Sequence, residues 1–362
     1  MRSIWLCVLL NLFTVLGYAQ ADCQLSADQI SQTNRIFAFR VGNQYYPLRL
    51  DVVRVDQTLD MICDAKNVVQ TKCQANGNFT LSLPMVDCNK PVRASVEAIP
   101  DRSCPHTMYR VGHDLGDEGF LDVYRSCYDV SNATAHYTIH VIYPYKLNAN
   151  RPGQGFTTDG VITGATAATF EAKSIYARFK ELFGSDQTYI KSARDQVFDR
   201  GHLAPSADYV FEQNMRQTFK YINVVAKFRT INRSNWKTIE NWVRNLLTDG
   251  GYEALQVCTG GLDVLQLPSS NGQLKSVYLG PGRVNPVPKW LFKIVSDGEE
   301  SLYAILTYNN VHNSSAPLPP HCQRVQCPQT LAVQDTKEAG FTFCCEPNSF
   351  INKNVPHLAG VC

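Results

Sequence analysis

"VFDRGHLAPSADYVF", Val197–Phe211, is the stretch on which the reading of this chain turns. Its centre, Asp199-Arg200-Gly201-His202, sets two charges, a glycine and a histidine between apolar and aromatic flanks. On a strand, Arg200 and His202 stand two residues apart and share one face. A permanent cation beside a titratable imidazole suits an anionic substrate. Gly201 lets the backbone come close to a ligand or turn sharply. Taken alone, the tetrapeptide equally describes a turn that carries a histidine.

Thirty residues on lies "INRSNWKTIENWVRNLLTD". Trp236, Ile239, Val243, Leu246 and Leu247 recur at spacings of three and four, which predicts a helix over 235–249. Asn232 stands just ahead of it, where asparagine is commonly an N-cap. On a continuous helix Glu240 would lie about 80° round and about 12 Å along from Asn232. Its carboxylate would then approach an ion held at Asn232 only through a water. Mg²⁺ keeps several waters and takes few protein ligands, so an amide oxygen plus a water-mediated carboxylate is a sensible set.

Arg2, the apolar run "IWLCVLLNLFTVLG" and the small residues up to Ala21 have the order of a secretory signal peptide, expected over 1–19. The run is too short for a confident membrane span and no later stretch approaches one, so the expectation is a secreted, extracellular chain without a membrane partner. Thirteen cysteines less Cys7 leave twelve, an even number that suits six disulfides. Spacing leaves their connectivity open. "CQRVQC" has a zinc-like spacing, but no paired CxxC or His-x-x-x-His accompanies it. The formal charge is only +2, yet from Lys191 to Arg244 ten Lys/Arg face five Asp/Glu, an excess of five. A local basic excess is what a polyanion needs, and it is also compatible with an ordinary solvated face. Sequons at Asn78, Asn132, Asn232 and Asn313 could carry glycans.

Residues 20–100 read as a small disulfide-stapled β module, with "YYPLRLDVV" and "NFTLSLPMV" as strands. "CNKPVRASVEAIPDRSC" reads as the junction to the next domain. Residues 101–345 read as α+β, and 346–362 as a disulfide-tethered tail. "ATAATFEAKSIYARFKELFG" is expected to be helical, ending at Gly184.

Strand, Asp-Arg-Gly-His, loop and Asn232-x-x-x-Trp236-x-x-x-Glu240 together resemble the DNA/RNA non-specific endonucleases of the ββα-metal class, typified by the Serratia enzyme and mitochondrial endonuclease G. The resemblance spans about residues 105–345 and takes in "DRGHLAPSAD", "CTGGLDVL" and "VPKWLFKIV". The N-terminal module and cysteine pattern look like the secreted insect branch, with its gut and salivary nucleases. It implies an α+β, ββα-metal fold with a central antiparallel sheet, beside the N-terminal module. It implies cleavage of phosphodiester bonds in DNA and RNA without sequence preference, with Mg²⁺ or another divalent such as Mn²⁺. By motif, His202 resembles the general base and Asn232 the single direct metal ligand. Glu240 resembles the residue that orients a water on the metal, and Arg200 the cation that stabilises the transition state. Asn223 matches a family asparagine that supports the site. Arg151, in "NANRPGQGF", matches loosely a second phosphate-binding arginine. Asp199 reads as a brace and Trp236 as core packing.

One position departs from the family pattern. Where Asn-x-x-Pro-Gln is usual, this chain has Asn223-Val-Val-Ala226-Lys227. Lys227 is expected to bind substrate phosphate while opposing the metal by like-charge repulsion. That carries an alternative from another class, a secreted salivary nucleic-acid-binding protein with weak or residual cleavage. A disulfide-rich extracellular interaction protein is the third reading, and it predicts no salt-sensitive binding to polynucleotide.

Overall fold

The computed structural model describes residues 21–64, 66–83, 86–147 and 151–362. The expected signal peptide, Cys7 included, lies outside the described residues. No helix among the described residues is long and apolar enough to cross a membrane.

The N-terminal module is a four-stranded antiparallel sheet of β1 (Ile36–Val41), β2 (Gln44–Pro47), β3 (Thr58–Asp64) and β4 (Asn67–Lys72), in the order β2-β1-β3-β4. Gly42, at a φ of 60°, makes the tight β1–β2 turn. Cys23–Cys73 and Cys63–Cys88 staple the module. Its apolar face does not stand alone. Leu25, Phe37, Leu59 and Met61 pack with Val210 and Phe211, the end of the opening stretch. The Phe37 and Phe211 rings stack at 4.8 Å.

The main body is a nine-stranded antiparallel sheet. Its strands are β5 (Ala94–Ile99), β6 (Thr107–Asp114), β7 (Phe120–Asp129), β8 (Thr134–Ile142), β11 (Leu255–Val264), β12 (Pro288–Ser296), β13 (Ser301–Tyr308), β14 (Arg324–Val325) and β15 (Thr342–Cys345). The order across the sheet is β14-β15-β13-β12-β11-β8-β7-β6-β5. Two expectations change here. The presumed junction supplies the edge strand β5, because "ASVEAI" alternates well enough to pair with β6. The cysteine-rich end is not a mere wrap either, since β14 and β15 extend the sheet beyond β13.

Both faces of this sheet are covered, which is why "KWLFKIV" reads as an almost unbroken apolar run. Val257, Leu291, Val295 and Ile305 face one core, together with Phe198, Ile239 and Trp242. Cys258, Phe292, Ile294 and Leu306 face the other, closed by Phe350 and Ile351 of helix α4 (Pro347–Asn354). The tail is tied back by Cys258–Cys362. Cys104–Cys127, Cys322–Cys345 and Cys327–Cys344 complete six disulfides from twelve cysteines, so "CQRVQC" holds no zinc.

The helix expected over 165–184 is broken after Ala168 and resumes as α1 (Ala172–Phe183), which Gly184 ends at a φ of 98°. On the first face of the sheet, β9 (Phe198–His202) pairs antiparallel with β10 (Val224–Phe228), followed by the short helix α2 (Arg229–Arg233) and by α3 (Asn235–Asp249). This hairpin and helix are the ββα element. The α3 bounds match the apolar periodicity residue for residue.

His113, on β6, is buried, with Nε2 3.3 Å from Asn214 Oδ1. Burial pushes its pKa down to about 4. An unfolded chain takes up that proton below about 6.5 and the folded chain does not. Stability is therefore unaffected by His113 above pH 6.5 and falls as pH drops toward 4. We expect urea unfolding to give ~2 kcal/mol less stability at pH 5 than at pH 7 from this group alone. His113→Gln should shrink the difference by that amount, and an unchanged difference would contradict the assignment.

Candidate active site

The hairpin register explains why the site forms. Asp199 lies opposite Lys227, Arg200 opposite Ala226 and His202 opposite Val224. Phe198 and Phe228 pack at 4.5 Å and fix the pairing from the apolar end. Strand alternation puts Arg200 and His202 on one face, as expected, and Phe156 is their shared neighbour. The His202 ring lies 5.2 Å from that of Phe156, and the Arg200 guanidinium 5.5 Å from it. Arg200 Nε also donates to Tyr221 Oη at 3.1 Å. The other face carries Asp199, Gly201 and Lys227.

His202 sits against Phe156 and Phe219 with Nε2 enclosed and without a hydrogen-bond partner among the described residues. Burial, then the cations Arg151 and Lys227, push its pKa down to about 3. The imidazole is thus neutral at ordinary pH and can accept a proton from water.

Asn232 is not the helix N-cap. It belongs to α2, and the chain breaks at Ser234 (φ −110°, ψ −110°) before α3 begins. The continuous-helix geometry between Asn232 and Glu240 therefore does not hold. Asn232 Nδ2 instead donates to Asp199 Oδ2 at 3.1 Å, and Arg233 Nε donates to the same oxygen at 3.1 Å. With its nitrogen held by Asp199, the amide presents its oxygen elsewhere. Asp199 is thus the brace that sets the orientation of Asn232.

His202, Arg200, Asp199, Asn232, Glu240 and Arg151 all line one cleft of 740 Å³. Its walls carry six cations, Arg151, Arg200, Arg229, Arg233, Lys237 and Arg244, against two carboxylates, Asp199 and Glu240. Five of the ten basic residues counted between Lys191 and Arg244 thus line a concave surface, which focuses their field. Arg151, 5.0 Å above the Phe219 ring, joins the cleft from a loop far away in sequence. The amide oxygen of Asn232 and the Glu240 carboxylate are hard oxygen donors, the kind that fit Mg²⁺ or Mn²⁺.

Two expected residues lie elsewhere. Asn223 is fully buried. Its Oδ1 accepts from Ala204 N at 2.8 Å, and its Nδ2 donates to the carbonyls of Ala204 at 2.9 Å and Thr218 at 2.8 Å. It positions the loop after His202 and does not line the cleft, so it supports the site and is not itself a catalytic residue. Lys227 is likewise fully buried and does not line the cleft. Its Nζ donates to the His202 carbonyl at 2.5 Å and lies 4.3 Å above the Trp236 ring. The expected phosphate contact at Lys227 is thus corrected. Burial lowers its pKa to about 7 despite the nearby Glu240, whose own pKa burial raises. Trp236 is core.

Sequence reading missed the support beneath the cleft. Asp208, inside "DRGHLAPSAD", accepts from Arg244 Nη1 at 2.6 Å and lies 2.7 Å from His140 Nε2. Burial would raise its pKa, but the His140 hydrogen bond and the Arg244 charge outweigh it and hold it down. The link ties β8 and α3 to the loop after His202. Only the aspartate, next to a motif already singled out, was a usable signal.

If Asp199 orients Asn232, Asp199→Ala should raise the Mg²⁺ concentration for half-maximal activity about 10–100-fold, with much of the rate recovered at saturating metal. A metal titration that matches the parent chain would refute the brace.

A family model described as DNA/RNA non-specific endonuclease matches residues 104–350. A salivary endonuclease of Lutzomyia longipalpis is 30% identical over 316 residues, covering 83% of this chain and 74% of that protein. Salivary protein Tsal1 of Glossina morsitans morsitans is 25% identical over 289 residues, 76% of this chain and 70% of that one. Human mitochondrial endonuclease G is 33% identical over 105 residues, 28% of this chain and 34% of that protein. On the family match across most of its length and the 30% identity to the Lutzomyia protein, this chain belongs to the DNA/RNA non-specific endonuclease family.

Proposed function

We propose that this chain is a secreted, Mg²⁺-dependent endonuclease that hydrolyses phosphodiester bonds of DNA and RNA alike. The observation that carries the reading is the convergence, in one basic cleft, of the His202 imidazole, the Arg200 guanidinium and an Asn232 amide held by Asp199. His202 takes the proton of the attacking water, using the ring nitrogen opposite the enclosed Nε2. Arg200 and Arg151 pair with phosphate oxygens as charge builds on them. Asn232 would hold the ion through its amide oxygen, and Glu240 accepts hydrogen bonds from waters beside it. When bound, a divalent ion such as Mg²⁺ would supply positive charge that offsets the charge of the phosphate. A cleft that grips phosphate through arginine and lysine carries no sequence code. Secretion rests on the leader-like N-terminus, the six disulfides and the salivary relatives.

Two unrelated duplex DNAs and a single-stranded RNA, assayed at matched nucleotide concentration, test the substrate range. All three are expected to be cut without a fixed sequence at the ends. Cleavage confined to one recognition sequence would contradict the reading. The sequon at Asn232 gives a second check, because a glycan would take the nitrogen that donates to Asp199. Glycopeptide mass spectrometry should find Asn232 unmodified, and high occupancy there would rule it out as a metal ligand.

A further inference from the structure

A second cluster of metal-type side chains lies apart from the cleft. His106, just before β6, Asp129, at the end of β7, and His136, on β8, each offer one ligand atom within 4.8 Å of the others. His106 Nδ1 is 3.8 Å from Asp129 Oδ2, and the two imidazoles stack with centroids 4.2 Å apart and planes at 29°. None of the three lines the cleft. We propose that they form a binding site for a borderline transition-metal ion, of which Zn²⁺ is the natural representative.

The surroundings hold these groups in place. Cys104–Cys127 fixes the backbone two residues before both His106 and Asp129. The pairing of β7 with β8 shifts register between Ala135 and Tyr137, so His136 sits at a bulge, a device that re-aims a side chain. Asp129 is oriented by its neighbours. Its Oδ1 accepts from the amides of Ser131 at 2.9 Å and Asn132 at 3.1 Å, and its Oδ2 from Asn132 Nδ2 at 2.6 Å. Second-sphere donors of this kind are what hold a ligating carboxylate in one pose. A third imidazole, His357, stacks on Tyr137, the neighbour of His136, at 5.3 Å. Its Nε2 is enclosed and unpartnered among the described residues.

Ligand chemistry separates this site from the cleft. Two imidazoles and one carboxylate with a remaining open position suit Zn²⁺. Mg²⁺ prefers oxygen throughout, the donor set offered by Asn232 and Glu240. The His cluster would thus take up a different ion from the one used in catalysis. The competing account is an ordinary contact between His106 and Asp129, with His136 merely stacked and no ion held.

The test is Zn²⁺ binding to the mature, disulfide-bonded chain by calorimetry, in excess Mg²⁺ so that the cleft is occupied. One Zn²⁺ per chain is expected, together with a higher melting temperature. Uptake should weaken at least tenfold in His106→Gln and in His136→Ala and remain in Asn232→Ala. Circular dichroism and melting without Zn²⁺ show whether each variant is folded. His106 is exposed, so its substitution keeps the test valid even if His136→Ala does not fold. Absence of saturable Zn²⁺ uptake would overturn the proposal. So would uptake that survives both histidine substitutions, or uptake lost only in Asn232→Ala, which would place the ion in the cleft.

Discussion

Replacing His202 with alanine should slow plasmid nicking about 10²–10⁴-fold, the range for loss of a general base, with little change in DNA binding. The pH profile makes the prediction specific. A half-buried imidazole whose pKa is pushed down to about 3 is already neutral through the neutral and mildly acid range. Protonation that would switch the base off sets in only near that value. The parent chain should therefore show no acid limb near pH 6.5 attributable to this group, and the residual activity of the variant should run parallel to the parent from pH 6 to 8. An acid limb near 6.5 in the parent that vanishes in His202→Ala would mean that the ring is solvated, against the packing of Phe156 and Phe219.

Gly201→Ala should be the most damaging single change to the fold of the site. Gly201 lies in a strand, and its missing Cβ leaves the room that Lys227 fills. A Cβ at this position would meet Lys227 Cδ at 2.2 Å, Cγ at 2.3 Å and Cε at 2.7 Å. Those atoms are the middle of a buried side chain clamped between the His202 carbonyl and Trp236, so they cannot swing into solvent. Overpacking of this kind costs about 1–3 kcal/mol. We expect the upper end of that range in urea unfolding, with nicking reduced at least tenfold because His202 moves with its strand. The clash is with one side chain, so Gly201→Ala combined with Lys227→Ala should cost less than the sum of the single changes. Strict additivity would show that the clash lies elsewhere.

These two residues also show how much of the site was legible beforehand. His202, Arg200 and Glu240 could be picked out because the chemistry sits in two short local patterns, and α3 could be bounded because its apolar period is strong. Asn232 stands out by its place ahead of the helix, but its geometry does not, since nothing in the residue string marks the break at Ser234. Lys227 was read as a free cation. Every residue of β10 is buried, so the surroundings of Lys227 are decided by pairing with β9 and packing on Trp236, neither of which is local in sequence. The link from Asp208 to His140 and Arg244 joins residues 68 and 36 positions apart, so no local pattern could disclose it. The same holds for the N-terminal module. Its cysteines announce a stapled β unit, but not that Phe37 stacks on Phe211 and buttresses the loop that follows His202. The departure at Lys227 now has a physical content as well. It brings an internal cation under the site, beside Glu240 and Lys293, and leaves the six cations of the cleft wall untouched.

The most direct measurement is nicking of supercoiled plasmid by the purified mature chain, with Mg²⁺ and with EDTA, alongside plasmid binding in EDTA. The account predicts sustained, multiple-turnover nicking in Mg²⁺ and none in EDTA. It also predicts binding in EDTA that weakens steeply with salt, as a six-cation cleft requires. Tight, metal-independent binding with negligible nicking in Mg²⁺ would contradict it, and would make this chain a binder built on a nuclease fold.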